Sequence, residues 1–342
     1  MNWTPHGQAT AASGVDDGNA VPFRSARRPR KWRYRDNSAR HKPCEAHVIT
    51  TAGQGIRWTR SERRVCGVRL SFLERETGAP PTGAPMLLLH GLVAGADCFR
   101  RLGDELPPER RVVALDLPGG GCSDRPCDGD VSFQGIAELV GQFIDVVGLE
   151  RPVIVGHSYG GAIALQLSAW RPEVLEAMIL IAPAHPFSRR EDPLVRFYLS
   201  RPGQWFANLL PRVPKRLMLE IFRRMPGDRA AVGYEQIEPY LSTLRHPGTI
   251  AYLLRLLKSW NYDMRRLGEL LTAMKPNTPA LLVWGDLDPV VPASSGAELL
   301  RHLGTAEQFT LRGVGHLPND ERPEECGSLI RTWLLERETH RK

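Results

Sequence analysis

The chain has 342 residues, 42% of them hydrophobic, and a formal net charge of +7, enough for one large α/β domain with an insertion or for two smaller domains. No apolar run approaches the roughly 18 residues of a membrane-spanning helix, and no apolar segment follows the basic N-terminus as in a secretory signal, so a cytoplasmic protein is expected. The charge sits at one end: residues 1–64 hold 13 Lys/Arg against 5 Asp/Glu, the remainder sums to −1, and the main domain gives no reason to expect a nucleic acid. Six scattered cysteines without Cys-x-x-Cys pairing fit reduced thiols and no metal site.

Residues 1 to about 50 mix Gly, Ala, Ser, Asp and Pro with a basic run at 27–35 and lack periodicity; a disordered basic extension is expected there. Alternation improves from about residue 47, and residues 68–74 read as a strand ahead of a Gly/Pro turn. Residues 86–91, 111–117 and 152–155 are short apolar runs, as in strands buried on both faces of a parallel sheet. Helical spacing lies between them, over 96–106 and 131–149. A further strand is expected over 177–182, and then the rhythm stops. Residues 185–275 carry helical patterns only, at 194–198, 205–210, 217–222 and 250–260, broken by prolines. Such an insertion reads as a helical lid. Strands resume at 280–284 and 307–312, and a helix over 323–336 closes the chain. The expected fold is α/β, a mostly parallel central sheet with helices on both faces, its core formed by 65–184 and 276–340.

The run Val153-Ile-Val-Gly-His-Ser-Tyr-Gly-Gly161 drives an apolar strand through a Gly-x-Ser-x-Gly turn into an apolar helix, the pattern of a nucleophile elbow. Ser158 would stand in strained backbone at the tip, with Gly156 and Gly160 omitting side chains that would collide there. The helix N-terminus beside it would stabilise an anion. A serine nucleophile needs a base for its proton and a carboxyl group to fix the base's tautomer. Two later loops, each after a strand, supply them: Trp284-Gly-Asp-Leu-Asp-Pro289, with Asp286 and Asp288, and Gly313-Val-Gly-His-Leu-Pro318, with His316. Either aspartate gives the order Ser, Asp, His.

These motifs, together with His90-Gly91 and Asp116-Leu-Pro-Gly-Gly-Gly-Cys-Ser-Asp124, resemble the α/β-hydrolase fold superfamily over roughly residues 65–340. The resemblance is to its lidded branch of esterases, carbon–carbon bond hydrolases and haloperoxidase-like proteins. It implies Asp288 as the acid, since the family's acid directly precedes a proline like Pro289, and the backbone N–H groups of Leu92 and Tyr159 as the oxyanion hole. Gly120 departs from it, the family often carrying an aromatic residue or His there.

The expected activity is cofactor-free hydrolysis of a small to medium carboxylic ester, or a related carbonyl compound, with an apolar part. His90 and the aromatics Phe187, Phe197, Trp205 and Trp260 are the candidate pocket residues. The alternatives are acyl transfer or carbon–carbon cleavage on the same serine, or a binding or receptor protein without turnover.

Overall fold

A computed structural model describes residues 48–50, 56–188, 193–228 and 230–339. The expected extension over 1–50 therefore lies outside the described residues, apart from the short strand β1 (Val48–Thr50). The sheet starts earlier than the expected core boundary of 65. Strand β2 (Arg57–Val65) pairs antiparallel with both β1 and β3 (Val68–Arg75). Its sequence, RWTRSERRV, hides this because the inward-facing residues include a cation: Arg60 is buried, donating to Ser71 and pairing with Asp97 and Asp116.

The remaining strands are β4 (Met86–Leu89), β5 (Val112–Leu115), β6 (Val153–His157), β7 (Ala177–Ile181), β8 (Ala280–Gly285) and β9 (Ala306–Leu311). The nine strands lie in the order β1-β2-β3-β5-β4-β6-β7-β8-β9, antiparallel as far as β3–β5 and parallel from β5 to β9. Strands β4 to β8 are buried at every position, which is why they read as unbroken apolar runs. Their alternate side chains enter opposite layers. Leu87, Leu89, Val113 and Leu115 join helices α2 (Phe133–Val147) and α3 (Tyr159–Trp170). Met86, Leu88, Val112 and Ala114 join α1 (Arg100–Asp104) and the C-terminal helix α11 (Pro323–Thr339). Helix α2 shows why its boundaries hold: the Ser132 hydroxyl accepts from the Gly135 N–H at 3.1 Å, and Gly148 closes the far end at φ 69°.

Between β7 and β8 the described residues are helical: α4 (Pro193–Leu199), α5 (Arg201–Leu209), a 3₁₀ turn (Leu210–Arg212), α6 (Lys215–Phe222), α7 (Tyr234–Arg245) and α8 (Thr249–Met274). Helix α7 has no counterpart in the sequence reading because Pro239 lies inside it. Helix α8 runs 26 residues and buries Leu256, Leu257, Trp260, Leu267 and Leu271 in the same layer as the sheet, so the insertion is rooted in the core.

Helix α9 (Gly296–Leu300) lies between β8 and β9, and helix α7 is tied to the short helix α10 (Pro318–Glu321): the Tyr240 hydroxyl donates to Asp320 Oδ2 at 2.9 Å, and Asn319 Nδ2 donates to the same oxygen at 3.1 Å. Burial pushes the Asp320 carboxyl up to about 7, against the opposing effect of the Tyr240 bond. A carboxyl raised in the fold favours the folded state when protonated, and that contribution is lost as pH climbs from about 4 to about 7. Asp320→Asn should therefore gain thermal stability relative to the parent between pH 5 and pH 8. A pH-independent difference in Tm would show that Asp320 does not titrate in this window.

Four cysteines, Cys66, Cys98, Cys127 and Cys326, are free, whereas Cys122 is disulfide-bonded, which corrects the expectation of six reduced thiols. No helix among the described residues is long and apolar enough to cross a membrane.

Candidate active site

Strand β6 ends at His157, and the chain turns into α3 through Ser158, whose φ of 49° and ψ of −113° lie in a region that side chains rarely adopt. The glycines around it are sterically required. A Cβ on Gly156 would stand 2.7 Å from the Gly160 carbonyl oxygen, and one on Gly160 would stand 2.0 Å from that of Leu89. The tight turn brings the end of β6 and the start of α3 against β4, leaving the serine hydroxyl at the C-terminal edge of the sheet.

The loops after β8 and β9 reach the same point. His316 Nε2 lies 3.1 Å from Ser158 Oγ, and His316 Nδ1 lies 2.8 Å from Asp288 Oδ2. The other oxygen, Asp288 Oδ1, accepts the N–H groups of Val290 and Val291 at 2.8 and 2.9 Å, so the carboxyl is held from both sides. Asp286 is exposed and turns elsewhere, accepting the Gly313 N–H at 2.7 Å. With Asp288 accepting the hydrogen bond from Nδ1–H, Nε2 carries the lone pair that faces the serine.

Leu92 follows Gly91, where an added Cβ would come within 3.3 Å of Ser158 Cβ; Tyr159 is the first residue of α3, and its N–H has no acceptor one turn earlier in the helix. The Gly91 backbone and the first residue of α3 thus border the serine. His90 braces this edge: Nε2 accepts the Leu117 N–H at 2.9 Å, which leaves Nδ1–H to donate to the Gly91 carbonyl at 2.8 Å. Burial lowers its pKa, so the ring is a neutral strut with both nitrogens engaged.

Two positioning groups were not foreseen from the sequence. His157 Nε2–H donates to the His316 carbonyl at 2.9 Å, and burial together with the neighbouring His316 pushes its pKa down to about 3. Glu321, also buried, gathers the loops: its side-chain oxygens accept the N–H groups of Gly315 and Leu317 on either side of His316, and of Gly227 and Asp228 in the insertion. The His316 N–H in turn donates to the Met225 carbonyl at 2.9 Å. The only advance signal was a Glu five residues after the histidine. Glu321→Gln puts an NH₂ group among these donors, leaving at least one buried N–H unpaired at a cost of about 1–3 kcal/mol. The expected result is a kcat about 10- to 100-fold lower with KM within about threefold. An unchanged kcat would show that the His316 loop does not depend on this group.

A family model described as the alpha/beta hydrolase fold matches residues 84–323, a span that contains all three of Ser158, Asp288 and His316. The chain belongs to the α/β-hydrolase family. Among its relatives, the uncharacterized hydrolase YugF of Bacillus subtilis is 27% identical over 245 residues, covering 71% of this chain and 87% of its own. The magnesium-chelatase 30 kDa subunit of Rhodobacter capsulatus is 30% identical over 282 residues, covering 76% and 89%. The crystal structure of wild-type Cfl2 from Burkholderia cenocepacia superimposes with a TM-score of 0.71 at 21% identity, covering 84% of this chain and 99% of its own, and shows the shared fold.

Within this α/β hydrolase the departure at Gly120 has a steric cause: a Cβ there would meet His90 Cε1 at 2.4 Å and the Ala94 carbonyl oxygen at 2.7 Å. A cleft beside the serine edge, of only about 20 Å³, is lined by His90, Leu92, Tyr159 and, from α8, by Thr249, Tyr252 and Leu253. None of the four expected aromatics borders it. Phe187 stacks on His302 with ring centroids 4.0 Å apart, and Trp260 is buried against Phe133 and Tyr159. Phe197 on α4 and Trp205 on α5 face solvent, 43% and 69% exposed, and α5 turns Gly203 and Ala207 inward. Among the described residues there is no cluster of three or more His, Cys, Asp or Glu side chains suited to a metal.

Proposed function

We propose that this hydrolase cleaves a small to medium carboxylic ester, or a related carbonyl compound with an apolar part, through an acyl-enzyme on Ser158. The observation that carries the reading is the unbroken path from Asp288 Oδ2 to His316 Nδ1 at 2.8 Å and from His316 Nε2 to Ser158 Oγ at 3.1 Å. His316 takes the serine proton as Oγ attacks the carbonyl carbon, and Asp288 stabilises the imidazolium that forms. The Leu92 and Tyr159 N–H groups receive the oxyanion. His316 then gives its proton to the departing alcohol. A water molecule, deprotonated by His316, attacks the acyl-enzyme; the released acid and regenerated serine complete the cycle. No cofactor enters this sequence.

The cleft of about 20 Å³ is small for an ester of this size and α8 forms one of its walls, so a shift of α8 and the insertion away from the sheet edge would open room for the substrate. This is the sense in which residues 185–275 serve as a lid. A series of p-nitrophenyl esters of rising chain length tests the reading. The parent should turn over a subset of them, and Leu253→Trp, which narrows the α8 side of the cleft, should raise KM for the longer esters at least about tenfold relative to acetate. Absence of turnover across the series, or a selectivity unmoved by the substitution, counts against the ester reading and the α8 wall respectively.

A further inference from the structure

The insertion carries a surface feature that ester cleavage does not use. Of the 14 large hydrophobic side chains exposed among the described residues, six fall within α4 to α6: Phe197, Trp205, Phe206, Leu209, Leu217 and Ile221. That is a disproportionate share for three short helices. The residues recur at helical spacing. Trp205 and Leu209 stand four apart on α5, and Leu217 and Ile221, 55% and 41% exposed, stand four apart on α6. They are therefore outward-facing rows on helices whose inward faces, Gly203 with Ala207 and Met218 with Phe222, are already packed. Leaving such rows in water is unfavourable by about 25 cal/mol per Å² of apolar surface, and large exposed apolar patches mark interaction sites.

Charge selects the partner. Residues 193–224 contain seven basic side chains, Arg196, Arg201, Arg212, Lys215, Arg216, Arg223 and Arg224, against one acid, Glu220. Glu220 pairs with Arg223, and Lys215 reaches Glu238 of α7, so most of the cationic charge is not neutralised by acids within this segment. A second copy of the same face would set cations against cations. The chain's own N-terminal residues 1–64, with 13 Lys/Arg against 5 Asp/Glu, are repelled for the same reason. The complement is an anionic partner able to accept Trp, Phe and Leu side chains from two short helices. A bilayer surface does this without a matching groove: the apolar rows enter the acyl boundary, the tryptophan sits at headgroup level, and Arg and Lys meet lipid phosphates.

We propose that α5 and α6 form a docking face for anionic phospholipid membranes, holding the hydrolase at a surface where esters with apolar parts concentrate. The docking does not depend on Ser158, so it stands or falls separately from the serine mechanism.

The experiment uses the full chain carrying Ser158→Ala, to prevent lipid turnover, with phosphatidylcholine vesicles containing or lacking half phosphatidylglycerol. The basic N-terminal residues can attract anionic vesicles by themselves, so sedimentation alone does not decide the question. The deciding readout is the Trp205 contribution to the emission spectrum, obtained by subtracting the spectrum of the Trp205→Phe variant. It should shift to the blue on phosphatidylglycerol vesicles and stay unshifted on pure phosphatidylcholine, and the shift should reverse in 0.5 M salt. Leu217→Ser with Ile221→Ser, and separately Arg212→Glu with Arg216→Glu, should each weaken partitioning at least about tenfold. These side chains are exposed, so both variants keep the parent fold, checked by circular dichroism. An unshifted Trp205 on anionic vesicles overturns the proposal. So does partitioning that neither double variant changes, concentration-dependent dimerisation abolished by Leu217→Ser/Ile221→Ser, or binding to poly-glutamate with none to vesicles; the last two outcomes assign the face to a second copy or to an acidic protein.

Discussion

Ser158→Ala should lower kcat for any ester the protein hydrolyses by about a millionfold, the scale on which serine enzymes lose activity when the nucleophile is removed. Among the described residues the hydroxyl forms the only side-chain bond to His316 Nε2, so none of them takes its place. Folding should hardly respond. The Ser158 backbone is fixed by its neighbours: its N–H donates to the Ile181 carbonyl at 3.0 Å, and its own carbonyl accepts from Gly161 and Ala184 at 2.9 Å each. Alanine meets the same unfavourable φ of 49° as serine, so the strain is unchanged and Tm should stay within about 2 °C. Ser158→Gly should abolish activity equally but raise Tm, because glycine adopts this conformation without the penalty of roughly 1–3 kcal/mol that a side chain brings. Loss of activity accompanied by loss of folding would make Ser158 a structural residue.

The second large effect is expected at Asp288. Its carboxyl group receives His316 Nδ1 on one oxygen and two backbone N–H groups on the other, and it is buried. An asparagine keeps the shape but can turn its NH₂ toward the imidazole, which then adopts the tautomer with Nε2 protonated and cannot accept the serine proton. In the serine proteases that exchange reduces kcat about ten-thousandfold, and a loss of similar order is expected for Asp288→Asn with KM little changed. Asp286→Asn should cost at most about tenfold, since that side chain only accepts the Gly313 N–H in the turn below His316. Reversed magnitudes for the two variants would assign the acid to Asp286 and leave the fold intact.

The parallel strands were readable because burial on both faces requires continuous apolar sequence, as in Met86–Leu89 and Ala177–Ile181. Strand β2 was not, because its buried Arg60 is neutralised by Asp97 and Asp116, which are distant in sequence. Helix α7 was obscured by Pro239. Which way the aromatic at 205 faces was not readable either: residue type does not say which row of a helix points inward, and in α5 the inward row is Gly203 and Ala207. Ser158 and His316 stood out by their loops after strands. Glu321 and His157 act on backbone groups of the His316 loop, and the full set of these bonds exists only once three separate segments, the end of β6, residues 227–228 and residues 315–321, have come together.

The central claim is that Ser158 is a nucleophile made reactive by His316. Incubation of the full chain with a fluorophosphonate, followed by intact-mass and peptide mass spectrometry, tests it without knowledge of the substrate. The account predicts a single covalent adduct on the peptide containing Ser158 in the parent, none in Ser158→Ala, and labelling slowed by at least about a thousandfold in His316→Ala. Equal labelling rates in the parent and His316→Ala, or an adduct on a residue other than Ser158, would contradict it.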